Sequence, residues 1–200
     1  MRAILAAVVM LQTLITGADC LLCEQCVASG ANQCSGTFKQ CSPDVTHCLK
    51  GVENTTVGGD VTVNAFKDCL DPSYQAVCGR AFYLKNSVVS FWISTTCCDS
   101  DFCNKGDVEV PAVDETPNGY KCDECYTDQS SDSCTPTGEV ECTGKQNTCT
   151  SSSGKAGVPG DILKPYSLKA CVTHDYCELL QSMATHLHSD ELLCIPAKKL

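Results

Sequence analysis

Cysteine, histidine and aspartate carry the reactive chemistry open to this chain. It contains 19 cysteines in 200 residues. Cys23-x-x-Cys26 and Cys122-x-x-Cys125 have the spacing of a zinc-ligand pair or a redox dithiol. His47 and the pair His186 and His188 offer imidazole ligands, but no third ligand is evident beside them. The run Cys171-Val172-Thr173-His174-Asp175-Tyr176-Cys177 sets a histidine against an aspartate between two cysteines. In that arrangement His174 would act as a general base on water, with an aspartate orienting the ring.

The compartment decides between these chemistries. Arg2 precedes an apolar run over residues 4–15, broken only by Gln12 and Thr13, and the small residues Thr16, Gly17 and Ala18 follow. This pattern predicts a secretory signal peptide over residues 1–20. Cleavage after Cys20 leaves an even 18 cysteines, whereas cleavage after Ala18 keeps Cys20 as a free or intermolecular thiol. An oxidising compartment turns the Cys-x-x-Cys pairs into structural disulfides, and this density of cysteine reads as a disulfide scaffold. Aromatic residues are only 6% of the chain, so a large aromatic core is not available. The C-terminal run 192–200 is shorter than the apolar tail a lipid anchor needs, so a secreted protein without a membrane anchor is expected. The formal net charge of −10 argues against nucleic acid and anionic membranes. It suits a basic protein partner, and equally serves simple solubility.

The cysteine spacings repeat. From Cys23 to Cys97 the steps are 3, 8, 7, 7, 21, 9 and 19; from Cys122 to Cys194 they are 3, 9, 8, 7, 22, 6 and 17. The first set also holds Cys98 and Cys103, for which the second has no counterparts. Adjacent Cys97 and Cys98 cannot easily pair with each other. Cys97 must therefore reach a distant partner, while Cys98 can close a short ring with Cys103. The chain thus divides into a first unit (21–104), a Pro- and acid-containing linker (105–119) and a second unit (120–200). The β-branched stretches 61–63, 88–96 and 168–172 predict strands. Gly58-Gly59-Asp60 and Lys85-Asn86-Ser87 predict hairpin tips, and residues 158–161 a turn. Residues 176–188 allow one or two turns of helix.

Leu21-Leu22-Cys23-Glu24-Gln25-Cys26 at one end and Cys97-Cys98 through Cys103-Asn104 at the other resemble the three-finger domain of the lymphocyte-antigen-6/urokinase-receptor family. The resemblance implies an all-β, disulfide-rich fold of two tandem three-finger domains. It implies the pairs Cys23–Cys48, Cys26–Cys34, Cys41–Cys69, Cys78–Cys97 and Cys98–Cys103, then Cys122–Cys149, Cys125–Cys134, Cys142–Cys171 and Cys177–Cys194. Pro117-Asn118-Gly119-Tyr120-Lys121-Cys122, Pro159-Gly160-Asp161 and Lys169-Ala170-Cys171-Val172 are similar to segments of the gamma-type phospholipase A2 inhibitors of vertebrate plasma. That group implies a secreted inhibitor that forms homo- or hetero-oligomers and binds a secreted phospholipase A2. The run from Cys171 to Cys177 itself resembles the active-site segment of secreted phospholipase A2. That enzyme family also needs a glycine-rich calcium loop, which this sequence lacks, and Cys171 and Cys177 already hold slots in the repeat. A non-enzymatic protein without cofactor or metal is therefore expected.

Two further features bear on binding. Asn54-Thr55-Thr56 is an N-x-S/T acceptor, which predicts an exposed, glycosylated loop in a secreted chain. Phe91-Trp92-Ile93 places Phe91 and Ile93 on one face of a strand and Trp92 on the other. Exposed aromatic residues mark interfaces. Either this trio forms a binding surface, or one face packs on the core and the other is covered by the second unit. A receptor-like or signalling module with a different protein ligand is the competing expectation.

Overall fold

The structure, a computed structural model, describes residues 20–156, 163–183 and 188–200. The expected leader up to residue 19, the turn at 158–161, His186 and the side chain of His188 lie outside the described residues.

The first unit builds three hairpin-like loops from a cystine-rich base. β1 (Leu22–Ser29) pairs with β2 (Thr37–Gln40); β3 (Cys48–Val57) and β4 (Asp60–Cys69) form the long central hairpin; β5 (Ala81–Lys85) pairs with β6 (Val89–Cys98). The Gly58-Gly59 turn has both residues at positive φ, which glycine adopts without the steric cost of a Cβ. Five disulfides tie the base: Cys23–Cys48, Cys26–Cys34, Cys41–Cys69, Cys78–Cys97 and Cys98–Cys103. Alternation along β6 sends Cys97 back to Cys78 and Cys98 on to Cys103.

The chain end of this unit is locked by polar contacts. Asn104 is fully buried. Its Oδ1 accepts from Glu24 N at 2.9 Å, and its Nδ2 donates to the Glu24 and Leu49 carbonyls at 3.0 Å each. Beneath it lies an ion pair, Lys67 Nζ to Glu24 Oε2 at 2.9 Å, with the residues 2% and 6% exposed. Lys67 also donates to the Gly106 carbonyl at 2.6 Å, and Glu24 Oε1 accepts from Gly36 N at 2.9 Å. Each buried polar atom of the pair therefore has a partner, which a buried ion pair requires. Burial alone would raise the Glu24 carboxyl, but the Gly36 N–H and the Lys67 ammonium outweigh it and hold the pKa below its ordinary value.

The linker is not loose along its length. Val108 is buried, and Gln33 clamps it with two bonds, Nε2 to Val108 O at 2.8 Å and Val108 N to Oε1 at 2.7 Å. Lys50 Nζ donates to the Asp107 carbonyl.

In the second unit β7 (Pro117–Thr127) pairs with β8 (Gly138–Thr143), and β9 (Gln146–Ala156) lies between β10 (Lys164–Thr173) and β11 (His188–Pro196). Cys122–Cys149, Cys125–Cys134, Cys142–Cys171 and Cys177–Cys194 staple it. α1 (His174–Met183) starts two residues before the stretch expected from sequence, directly at the end of β10. Where the first unit closes with the Cys98–Cys103 ring, the second closes with a two-residue strand, β12 (Lys198–Lys199), against Lys121 and Tyr120 of β7.

The two units share one sheet. Its order runs β11-β9-β10-β5-β6-β3-β4-β1-β2. β10 pairs with β7 at Ser167–Lys169, and further along the same edge with β5 through Cys171↔Lys85 and Val172↔Leu84. An open edge on β5 would be a template for unwanted pairing, and β10 covers it.

Candidate functional site

The joint between the units explains where the aromatic trio ends up. At the hand-over from β7 to β5 stands buried Asn86. Its Nδ2 donates to the Cys125 and Lys169 carbonyls at 3.2 and 3.1 Å, while its Oδ1 accepts from Val88 N and Val89 N at 2.9 and 2.7 Å. Asn86 thus shapes its own hairpin tip and ties it to one carbonyl on β7 and one on β10. Glu124 Oε2 caps Ser87 N, and Thr173 Oγ1 accepts from Tyr83 N. Around this polar seam Leu84 and Val89 pack on Ala170, Val172 and Cys177. Burying each larger aliphatic side chain contributes about 1.5–3 kcal/mol.

Phe91 belongs to this joint. It packs against the cluster, with its ring 6.4 Å from that of Tyr176 in an edge-on arrangement. Burial raises the Tyr176 phenol pKa, and nearby Tyr166 adds to the shift. Ile93 lies on the same face of β6, opposite fully buried Phe82. Trp92 faces the other way. It is half-buried, paired with Asn54 on β3 and Tyr83 on β5. The trio is therefore not one surface: Phe91 and Ile93 share the packed side of β6 and Trp92 the other, although Phe91 as well as Trp92 borders the cleft between the units.

Trp92 looks into a cleft of about 1150 Å³ between the units. One wall is the first unit's sheet, with Asn54, Thr56, Val61, Tyr83, Lys85 and Trp92. The other walls are linker residues 112–115, the β8–β9 turn around Lys145, and the β10–α1 corner at Thr173, His174 and Asp175. The Gly144 backbone fits closely under the linker: a Cβ there would stand 2.7 Å from the Asp114 carbonyl oxygen. Charges of both signs line the cleft (Arg80, Lys85 and Lys145 against Asp114, Glu115 and Asp175) around its aromatic wall.

The acceptor Asn54 is not in a loop, contrary to the sequence expectation. It sits in β3 between Val63 of β4 and Trp92 of β6. The β-branched Thr55, Thr56 and Val57 extend the strand through the motif. Asn54 is half-buried and faces the cleft with Thr56, whose hydroxyl donates to Asn54 Oδ1 at 3.5 Å.

His174 and Asp175 are exposed at the helix start, and the His174 ring lies 3.5 Å from Glu178 rather than from Asp175. Cys171 and Cys177 on either side are bridged to Cys142 and Cys194. His47 Nδ1 shares a hydrogen with Thr46 at 2.8 Å. The closest sulfur groupings, Cys23 with Cys41 and Cys69 and Cys122 with Cys142 and Cys171, consist of disulfide sulfurs and so offer no thiolate. Sequence reading missed the joint residues Leu84, Asn86, Ala170 and Val172. The signal available was the hairpin tip at Asn86, but nothing in it names a partner strand.

Among the described residues no helix is long and apolar enough to cross a membrane. Among solved structures, the crystal structure of mouse TEX101 matches at 16% identity, over 90% of this chain and 99% of that one, with a TM-score of 0.37. The u-PAR/Ly-6 domain model matches twice, over residues 19–106 and 118–197. Together the two matches take in most of the chain, and the protein belongs to the u-PAR/Ly-6 domain family, whose domains are extracellular or cell-surface modules that bind protein partners.

Proposed function

We propose that this protein is a secreted, non-enzymatic inhibitor of a secreted phospholipase A2, acting by covering the enzyme's lipid-entry surface. The observation that carries the reading is the inter-unit cleft with Trp92 on its wall: an aromatic anchor framed by polar side chains is the anatomy of a protein-binding hot spot. The sequence likeness of 117–122 and 169–172 to gamma-type inhibitors supplies the target class, and the net charge of −10 favours a basic enzyme surface. Inhibition by occlusion needs no chemistry from the inhibitor. A loop of the enzyme held in the cleft would keep its interfacial face from the membrane, and a homo- or hetero-oligomer would widen the covered area.

The test is capture of a panel of secreted phospholipases A2 by the full chain, with hydrolysis of phospholipid vesicles measured on the same mixtures. Stoichiometric capture with loss of hydrolysis supports the reading. Failure to bind any enzyme refutes it and leaves a receptor-like module for another protein ligand. Calcium-dependent hydrolysis by the protein alone, abolished by His174→Ala, refutes it in favour of catalysis.

A further inference from the structure

We propose that Asn54 carries an N-linked glycan whose first sugars lie against the indole of Trp92, inside the cleft. The inference needs only the geometry of β3 and β6 and stands whether or not the ligand is a phospholipase.

An acceptor asparagine must be extended and its amide reachable. Asn54 and Thr56 lie in the strand two residues apart, so both face the same side. That side is the cleft, which both residues line. The Thr56 hydroxyl already points at Asn54 Oδ1, leaving Nδ2 as the free end of the amide. Transfer forms the bond from Nδ2 to the sugar C1. The donor is a lipid-diphosphate-linked oligosaccharide: its C1–O bond breaks, the lipid diphosphate leaves, and the amide loses one proton. Such transfer accompanies secretion, before the second unit must have closed over this face.

Strand register then decides where the attached sugar lies. Val63, Asn54, Trp92 and Tyr83 form one rung across β4, β3, β6 and β5. Directly opposed residues on a sheet have their Cβ atoms roughly 4.5–5.5 Å apart. A sugar on Nδ2 therefore emerges beside the indole. The apolar C–H face of a pyranose and the electron-rich face of an aromatic ring are complementary. The half-buried Trp92 is in this account a platform for the glycan, and a protein ligand reaching into the cleft competes with the sugar for the same ring. Site occupancy would then set the affinity of the module.

The experiment uses the full chain secreted from a glycosylating eukaryotic host. The Asn54 peptide is examined by mass spectrometry before and after enzymatic release of N-glycans, and acrylamide quenching of Trp92 is measured on both forms. Trp92 is the only tryptophan, so the signal is unambiguous. A glycan is expected at Asn54 in the wild type and absent in Thr56→Ala. Its release should raise the quenching constant about twofold, as one of two indole faces is uncovered. An unmodified Asn54 in the secreted protein overturns the proposal. So does a modified Asn54 whose release leaves quenching unchanged, because the glycan then points away from the ring. Enzymatic release needs no variant, so a folding defect in Thr56→Ala would not blur the outcome.

Discussion

Replacing Lys67 by methionine should cost the first unit a large share of its stability. The ammonium is 2% exposed and holds three things together: the Glu24 carboxylate at 2.9 Å, the Gly106 carbonyl at 2.6 Å and, through Glu24, the Gly36 amide. Methionine fills most of the same volume, so packing is nearly preserved and the loss is electrostatic. Removing one member of a buried pair strands the other charge, at about 3–5 kcal/mol. The Gly106 carbonyl belongs to an exposed residue, so water replaces the ammonium there and little is added to the loss. Domains of this size are stable by about 5–15 kcal/mol in total, so the midpoint of denaturation should move far. Urea unfolding with disulfides intact, followed by the emission of Trp92 in β6, reads the loss of the first unit's sheet. The double variant Lys67→Met with Glu24→Gln removes both charges, while the amide oxygen of the introduced glutamine still accepts from the Gly36 N–H. It should recover at least about half of the loss, since neutral replacements of buried pairs are commonly tolerated. A single Lys67→Met variant within about 1 kcal/mol of wild type would refute the reasoning, because an unpaired buried carboxylate cannot be that cheap.

The same pair sets a pH dependence. Glu24 is held below its ordinary 4.5, so its contribution is complete above that value and fades as pH falls below 4.5 through the lowered folded-state pKa; acid titrations of unfolding should show this loss in wild type and a flatter profile in Glu24→Gln. Asn86→Ala should weaken the joint by about 2–3 kcal/mol by stranding the Cys125 and Lys169 carbonyls, read as faster amide exchange at Leu84, Lys85 and Val172. Gly51→Ala should destabilise the first unit by about 1–3 kcal/mol, since a Cβ there would stand 2.5 Å from the Phe66 ring and 2.9 Å from the Ser94 carbonyl; urea unfolding checks it.

The doubled, disulfide-stapled β fold was legible because cysteine spacing survives where other patterns fade. The long hairpin at Gly58-Gly59 was legible for a related reason, since a turn of two glycines between β-branched runs has few other uses. Other features were hidden by their chemistry. β9 is rich in serine and threonine, and buries Thr148, Thr150, Ser152 and Ser153 between two strands, so it shows no apolar alternation. Val108 looks no different from its linker neighbours Val110 and Val113 until Gln33 fixes its backbone. Asn54 resembles a loop residue by motif, yet its threonine neighbours favour a strand. The joint was least visible: Leu84 and Val172 read as ordinary strand residues, and no local rule says that β5 and β10 meet.

In the proposed function Trp92 anchors a phospholipase in the cleft. The most direct test of that role is inhibition of vesicle hydrolysis by Trp92→Ala, measured in the Thr56→Ala background so that no sugar covers the ring. A hot-spot aromatic is worth about 2 kcal/mol or more, so inhibition should weaken about 30-fold with the fold intact by circular dichroism. Equal inhibition by both proteins would contradict the account and move the binding surface off the cleft.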